Sequence, residues 1–219
     1  MRIKKNSIAL FVAAVFFISC AAVQADELKP VKLPAPQTEG GKPLMQALKE
    51  RRTRRDFSSR EIPLQSLSDM LWAAYGINRP ETGGHTAPST RNMQEIDVYV
   101  VKADGTYLYD AAANTLAPVL AADIREVTGK QPFVKDAPVN LVFVADLGKM
   151  GGMNAADQDF YAATDTGFIS QNVYLYCASA GLATVVRGWV DKPALASAMK
   201  LRRTQKVILT QTAGYPKEN

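Results

Sequence analysis

Val139-Asn140-Leu141-Val142-Phe143-Val144-Ala145 decides the architecture of this chain. It is continuously apolar and rich in β-branched residues apart from Asn140, which predicts a strand in the interior of a sheet. Gly148-Lys149-Met150-Gly151-Gly152 then reads as a flexible loop, a lid without the Lys-Ser/Thr pair of a phosphate-binding loop. Ala155 to Ala180 follows as a long helix whose second half is apolar on nearly every side, which predicts a buried helix ended by Gly181. Beyond it, Val185-Val186 and Val207 to Leu209 supply further strands. Upstream, Ile96, Val98 and Val100 alternate with polar positions as in a strand with one buried face. Thr106 to Asp110 can pair back on that strand through Ala103-Asp104-Gly105. Val119 to Val127 reads as a short helix. So do Pro43 to Arg52, with Leu44, Met45, Ala47 and Leu48 on its apolar side, and the stretch from Pro63 to Gly76. Arg79 to Gly84 reads as a loop. The sum is an α+β fold, a mostly antiparallel central sheet surrounded by helices. It lacks the strand-helix alternation and glycine fingerprint of a dinucleotide-binding fold.

The amino terminus belongs to a different category. Met1 to Lys5 carries three positive charges, Ile8 to Ile18 is apolar, and Val23 and Ala25 suit a cut before Asp26. Residues 1–25 therefore read as a secretory signal peptide, too short in its apolar run to span a bilayer with ease. Lipid attachment at Cys20 is the other reading of the same region. The protein is accordingly expected to be exported, to the periplasm or tethered to a membrane surface, without a membrane span. Residues 26–41, with Pro30, Pro34 and Pro36, read as an extended Pro-rich linker without a core of its own. Residues 42–219 make one domain.

Export changes the charge argument. Removing residues 1–25 takes away Arg2, Lys4 and Lys5 and no acid, so the formal charge falls from +5 to +2. Nucleic acid is a poor partner for such a chain, since its Arg cluster lacks interleaved aromatics. Only Cys177 and one histidine, His85, survive cleavage. These are too few for a zinc-type site or a disulfide, so no metal ligands are assigned, and no Gly-x-Ser-x-Gly elbow is present to build a Ser-His triad.

Two polar segments carry the chemistry. Arg51-Arg52-Thr53-Arg54-Arg55-Asp56-Phe57 offers planar cations and a hydroxyl, suited to a phosphate and a second anionic centre. Taken alone it also reads as a solvated helix end. In an extended stretch, however, Arg51, Thr53 and Arg55 share one face. Ala87-Pro88-Ser89-Thr90-Arg91-Asn92-Met93-Gln94 is a turn-forming stretch of amides and hydroxyls, suited to the polar edge of a heterocycle.

In order and spacing these segments resemble the FMN-dependent nitroreductase family, and more closely its branch of azoline-oxidising, SagB-type dehydrogenases. The first matches the family's basic-x-Ser-x-basic-x-aromatic motif with Thr53 for Ser; the second matches Pro-Ser-Ser-x-Asn-x-Gln, although Glu95-Ile96 replaces the usual Pro and aromatic. Gly181 to Gly188 matches a third turn, and Gln205 to Pro216 the closing strand with its Gly-Tyr-Pro ending. The resemblance implies a homodimer with FMN at the interface. Arg51, Arg52 and Thr53 would hold phosphate and ribityl chain, and Arg55 would sit beside N1 and the C2 carbonyl as an electrostatic stabiliser. Pro88, Ser89, Thr90, Asn92 and Gln94 would meet flavin held mainly by the partner subunit. The amides of Arg187 and Gly188 would face N5 and O4, and Lys217 would approach the phosphate. It further implies an oxidoreductase without a dedicated nucleophile, with NAD(P)H as a reductant and nitroaromatics or quinones as acceptors. A non-catalytic exported flavin-binding or carrier protein of the same fold is the competing reading.

Overall fold

The computed structural model describes residues 27–217. The signal peptide, its cleavage site and Cys20 lie outside them. The stretch read as a linker contributes an edge strand, β1 (Val31–Lys32), and buries Leu33 in the core. Helix α1 (Leu44–Glu50) and helix α2 (Leu64–Tyr75) each begin after a proline, whose missing N–H costs nothing there. The expected loop is the turn of a small hairpin, β2 (Ile77–Arg79) with β3 (Gly84–His85). Then come β4 (Ile96–Lys102), β5 (Gly105–Asp110), β6 (Thr115–Leu120) and β7 (Val139–Asp146). Helix α3 (Ala155–Ala180), β8 (Ala183–Arg187), α4 (Lys192–Ala198) and β9 (Gln205–Gly214) complete the chain.

Seven strands form one antiparallel sheet in the order β1-β6-β5-β4-β7-β9-β8. All eight residues of β7 are buried, as its apolar run requires. Its alternate side chains divide two cores. Val139, Leu141, Phe143 and Ala145 face α2 and α3, whereas Val142 and Val144 face Leu195 and Met199 of the α4 side. Asn140 breaks the pattern for a reason. Its amide donates to the Val134 carbonyl at 2.8 Å, and its oxygen accepts from Arg187 at 2.9 Å.

Helix α3 is about 39 Å long at 1.5 Å per residue. Asn154 caps it by accepting the Asp157 N–H, and Gly181 closes it in the left-handed region at φ 73°. Two expectations need correction. The helix is not buried on all sides within this chain. Ala162, Asp165, Ile169, Val173 and Cys177 form one inward stripe, while Phe160 and Phe168 stand 64% and 45% exposed on another. Similarly, α1 buries only Ala47 and leaves Leu44, Met45 and Leu48 exposed. The second correction concerns Val119 to Val127, which forms no α-helix. Its first residues end β6, and Arg125–Thr128 makes a single 3-10 turn. The pairing of Tyr107 with Pro118 and of Thr106 with Leu120 claims the start of the stretch for the sheet, and Pro118 is tolerated there beside a register shift. Helix α4, for which the strand pattern gave no warning, is announced locally by Asp191, whose carboxylate caps Ala194 N–H, and by Pro193 in the first turn.

Candidate functional site

The basic segment runs extended from α1 to Phe57, which is buried against Phe133, Ala137, Ala183 and Val185. It lies along the outer edge of β8, with Arg54 N–H donating to the Thr184 carbonyl at 3.0 Å. Thr53 Oγ1 is 2.9 Å from the Tyr174 hydroxyl, and that hydroxyl accepts the Val186 N–H at 3.0 Å. Arg51 stacks over the same ring, 5.3 Å from its centroid. Tyr174 of α3, a buried residue, thus organises both the segment and the strand edge. The closing strand comes alongside: Pro216 bridges to Phe57, and Lys217 N–H donates to the Asp56 carbonyl at 3.3 Å. This sets the Lys217 backbone against Asp56, the neighbour of Arg55 in sequence.

A cavity of about 460 Å³ opens here, lined by Lys42, Lys49, Glu50, Arg51, Arg52 and Arg54, and by Gly181 and Leu182 at the end of α3. Five cations face one acid. Lys42 pairs with Glu50, and Arg54 pairs with Asp56 at 2.8 Å. Arg51, Arg52 and Arg55 make no ion pair among the described residues. Lys42, Lys49 and Arg54 were not singled out in the sequence, because their approach depends on how α1 packs against α3. An excess of unpaired cations around a cavity fits a phosphate-bearing ligand.

The second polar segment sits elsewhere on α3. Pro88 and Asn92 are exposed, while Ser89, Thr90 and Gln94 are half-buried. Its backbone is strained: Arg91, Asn92 and Gln94 hold φ of 48°, 54° and 49°. Each such non-glycine residue costs roughly 1 kcal/mol or more, and such strain concentrates at functional sites. Local bonds hold it in place. Ser89 Oγ accepts Gln94 N–H at 3.0 Å, Gln94 Nε2 donates to the Gly83 carbonyl at 3.0 Å, and Lys149 Nζ donates to the Gln94 carbonyl at 3.1 Å. The stretch read as a flexible lid is therefore pinned, since Lys149 also pairs with Asp97 at 2.9 Å and Met150 is fully buried. Asp165 of α3 accepts Thr90 N–H at 2.7 Å. Next to it Glu95 is wholly buried, and burial first, then the neighbouring Asp165, push its carboxyl up to about 7.

Asp165 and Tyr174 are nine residues apart on one helix, about 14 Å along its axis. Within one protomer the two polar segments therefore do not converge on a point.

The third segment is the end of β8. Arg187 stands opposite Thr210, and Gly188 follows just past the ladder. The Arg187 side chain is 4% exposed and turned to the α4 side of the sheet. It donates to the Thr128 carbonyl and to Asn140 Oδ1, each at 2.9 Å, and pairs with no carboxylate among the described residues. Burial lowers it to about 10. His85 stacks on Tyr75 at 4.1 Å between ring centroids, its Nδ1 2.6 Å from the Tyr75 carbonyl, an arrangement that fixes the β2–β3 hairpin. Cys177 is a buried thiol pushed up to about 12 by desolvation, inert as a nucleophile. Among the described residues, no cluster of three or more His, Cys, Asp or Glu side chains is placed to hold a metal ion, and no helix is long and apolar enough to cross a membrane.

The scaffold is thus an α+β one: an antiparallel sheet backed by a long helix, with guanidiniums along one strand edge and a strained polar loop at another level. The nitroreductase family model matches residues 48–215, well over half of the chain. A Methanocaldococcus jannaschii protein assigned to the nitroreductases is 31% identical over 156 residues, which cover 66% of this chain and 78% of that protein. The chain belongs to the nitroreductase family. A crystal structure from Ralstonia eutropha JMP134, also assigned as a nitroreductase, superposes with a TM-score of 0.83 at 44% identity, covering 87% of this chain and 90% of that one. The NADPH:FMN oxidoreductase of Vibrio harveyi complexed with NAD+ shares the fold, with a TM-score of 0.61 at 19% identity over 80% of this chain and 70% of that one.

Proposed function

We propose that this protein is an FMN-dependent oxidoreductase that works as a homodimer, reducing small planar acceptors such as nitroaromatics or quinones. The observation that carries the reading is that Arg51 and Arg52, which line a cavity rich in further cations, and the nearby Arg55 make no ion pair among the described residues. When bound, FMN supplies hydride transfer at its N5, so no protein nucleophile is required.

The residues of the chain bind, orient and tune. Arg51 and Arg52 present charge-assisted donors to the phosphate, with Thr53 held beside the ribityl chain by its bond to Tyr174. Lys217, whose backbone meets Asp56, adds charge at the same end. Arg55 is the candidate stabiliser of negative charge at N1 and the C2 carbonyl, because a preplaced cation needs no reorganisation as charge develops. The amides of Arg187 and Gly188 are assigned to N5 and O4. Pro88, Ser89, Thr90, Asn92 and Gln94 are assigned to the flavin edge in the partner subunit. Their separation of about 14 Å along α3 from the basic segment supports that division. So do the apolar faces of α1 and α3, where Leu44, Met45, Phe160 and Phe168 are exposed in the single chain. The reading includes export: the amino terminus is cut before Asp26, or lipidated at Cys20, and the electron donor is one available outside the cytoplasm.

Purified mature protein tests this directly. The expected result is a yellow dimer whose flavin is released on denaturation, bleached by NADPH and reoxidised by a quinone, with a mass that begins at Asp26 or carries lipid. Flavin that binds but is never reduced would favour the carrier reading. A colourless, folded dimer that takes up no added FMN would end the proposal.

A further inference from the structure

Glu95 is a buried ionisable side chain to which the flavin reading gives no task. It follows Gln94 directly, lies at the loop end of β4 and is fully shielded from solvent. Among the described residues no N–H or hydroxyl of another residue reaches either of its carboxyl oxygens, and its own backbone N–H is the one donor beside them. The hydrogen bond open to it is the one its own proton makes with Asp165, whose carboxyl lies against it. Asp165 is itself only 3% exposed and accepts the Thr90 N–H at 2.7 Å.

The surroundings favour a neutral Glu95. Tyr75 faces it from α2, Asp165 from α3, Lys149 from the turn after β7, and Asp97 lies two residues along β4. Lys149 is the one cation in this set, and its ammonium is already engaged by Asp97 and the Gln94 carbonyl. A buried carboxylate whose one donor is its own backbone N–H is costly, and a second carboxyl alongside makes ionisation of both costlier still. One proton between the two groups removes both problems.

We propose that protonated Glu95 is a positioning residue for the Pro88–Gln94 segment. Its proton binds Asp165, and Asp165 holds Thr90 and with it the left-handed backbone at Arg91, Asn92 and Gln94. The proposal rests on the flavin-edge assignment of this segment for its consequence, but not for its geometry. Loss of the proton places two buried negative charges side by side and releases the grip on Thr90. The folded chain keeps this proton above the ordinary carboxyl value of 4.5, whereas the unfolded chain loses it there. Stability therefore falls as pH rises from that value toward neutrality and levels off above it.

The experiment compares wild type, Glu95→Gln and Glu95→Leu as full chains from pH 5.5 to 8.5. It measures the thermal midpoint of flavin-free protein, the hydrogen-exchange protection factor of the Thr90 amide, and FMN affinity by quenching of flavin fluorescence. Gln keeps a donor toward Asp165 at every pH, whereas Leu removes both the donor and the charge. Wild type should match Glu95→Gln at pH 5.5 and bind FMN about tenfold more weakly at pH 8.5, with a lower midpoint and lower Thr90 protection. Glu95→Leu should show no extra pH dependence but low Thr90 protection throughout. Identical pH profiles for wild type and Glu95→Gln would overturn the proposal, as would Thr90 protection in Glu95→Leu equal to that in Glu95→Gln. If no variant takes up FMN, the flavin assignment fails, and the midpoint and Thr90 protection still decide the carboxyl pair.

Discussion

Arg187 and the Arg51–Arg55 segment place the same side chain in opposite settings. Arg187 is sealed inside the protein, with neutral oxygens from Thr128 and Asn140 as its acceptors. Arg51, Arg52 and Arg55 stand at the rim of the sheet with no acid paired to them among the described residues. The first arrangement joins the segment around Thr128 to β7 and β8, and leaves its charge no room for a ligand. The second leaves its donors open to whatever anion arrives. Guanidinium chemistry is thus architectural on one face of the sheet and available for recognition at its edge. Changes at the buried Arg187 should register in folding, and changes in the basic segment should register in flavin binding.

The largest expected effect tests the buried side. A Cβ added at Gly129 would lie 1.9 Å from Arg187 Nη1 and 2.8 Å from Gln131 Oε1. Gly129 has an extended backbone that any residue can adopt, so its small size answers to Arg187, not to conformation. Gly129→Ala should destabilise the fold by about 3 kcal/mol, near the upper end for overpacking, because the guanidinium it strikes is held by two hydrogen bonds. Adding Arg187→Met to that variant should recover most of the loss, while FMN affinity of the folded protein changes less than about threefold. A double-mutant cycle in denaturant showing no coupling would break the contrast from this side.

Next in size is Arg51→Ala. Loss of one charge-assisted contact, about 1.5–3 kcal/mol, should weaken FMN binding roughly tenfold to a hundredfold. The flavin-free thermal midpoint should scarcely move, since the stacking of Arg51 over Tyr174 is worth about 0.5–1 kcal/mol at a partly exposed site. Unchanged affinity by titration would remove Arg51 from the phosphate.

The same contrast explains what could be read from sequence. The basic segment and the Pro88–Gln94 loop are contiguous, so spacing and residue type display them without a structure. The central strand and α3 are also local patterns, and their bounds follow from Asn154, Gly181 and an unbroken apolar run. Arg187 is different. Its partners are 59 and 47 residues away, and only the packed sheet brings them together. Glu95 and Asp165 were invisible for the same reason, although a glutamate leading into an otherwise apolar strand was the available signal. The expected helix at Val119 to Val127 failed because the β5–β6 pairing, which no local pattern displays, draws Val119 and Leu120 into the sheet and leaves only a 3-10 turn at Arg125–Thr128. The apolar faces of α1 and α3 show the limit in the other direction: hydrophobicity identified surfaces to be covered, but not whether this chain covers them.

The finest test lies within the basic segment itself, where Arg51 and Arg55 are assigned different work. Arg51 lines the cavity and stacks on Tyr174, so its removal should cost binding in both oxidation states. Arg55 does not line that cavity, is exposed, and adjoins Asp56, whose carbonyl accepts the Lys217 N–H. If it faces the ring end of the flavin, its charge favours the reduced form more than the oxidised one. Arg55→Ala should then lower the two-electron potential by about 30 mV, which corresponds to about 1.4 kcal/mol, while oxidised FMN binds within about threefold of wild type. Arg55→Lys should restore most of the potential, since it keeps the charge and loses only the planar fork. A potentiometric titration in which Arg55→Ala equals wild type, or in which binding falls as it does for Arg51→Ala, would make the segment a uniform phosphate clamp and erase the division of labour.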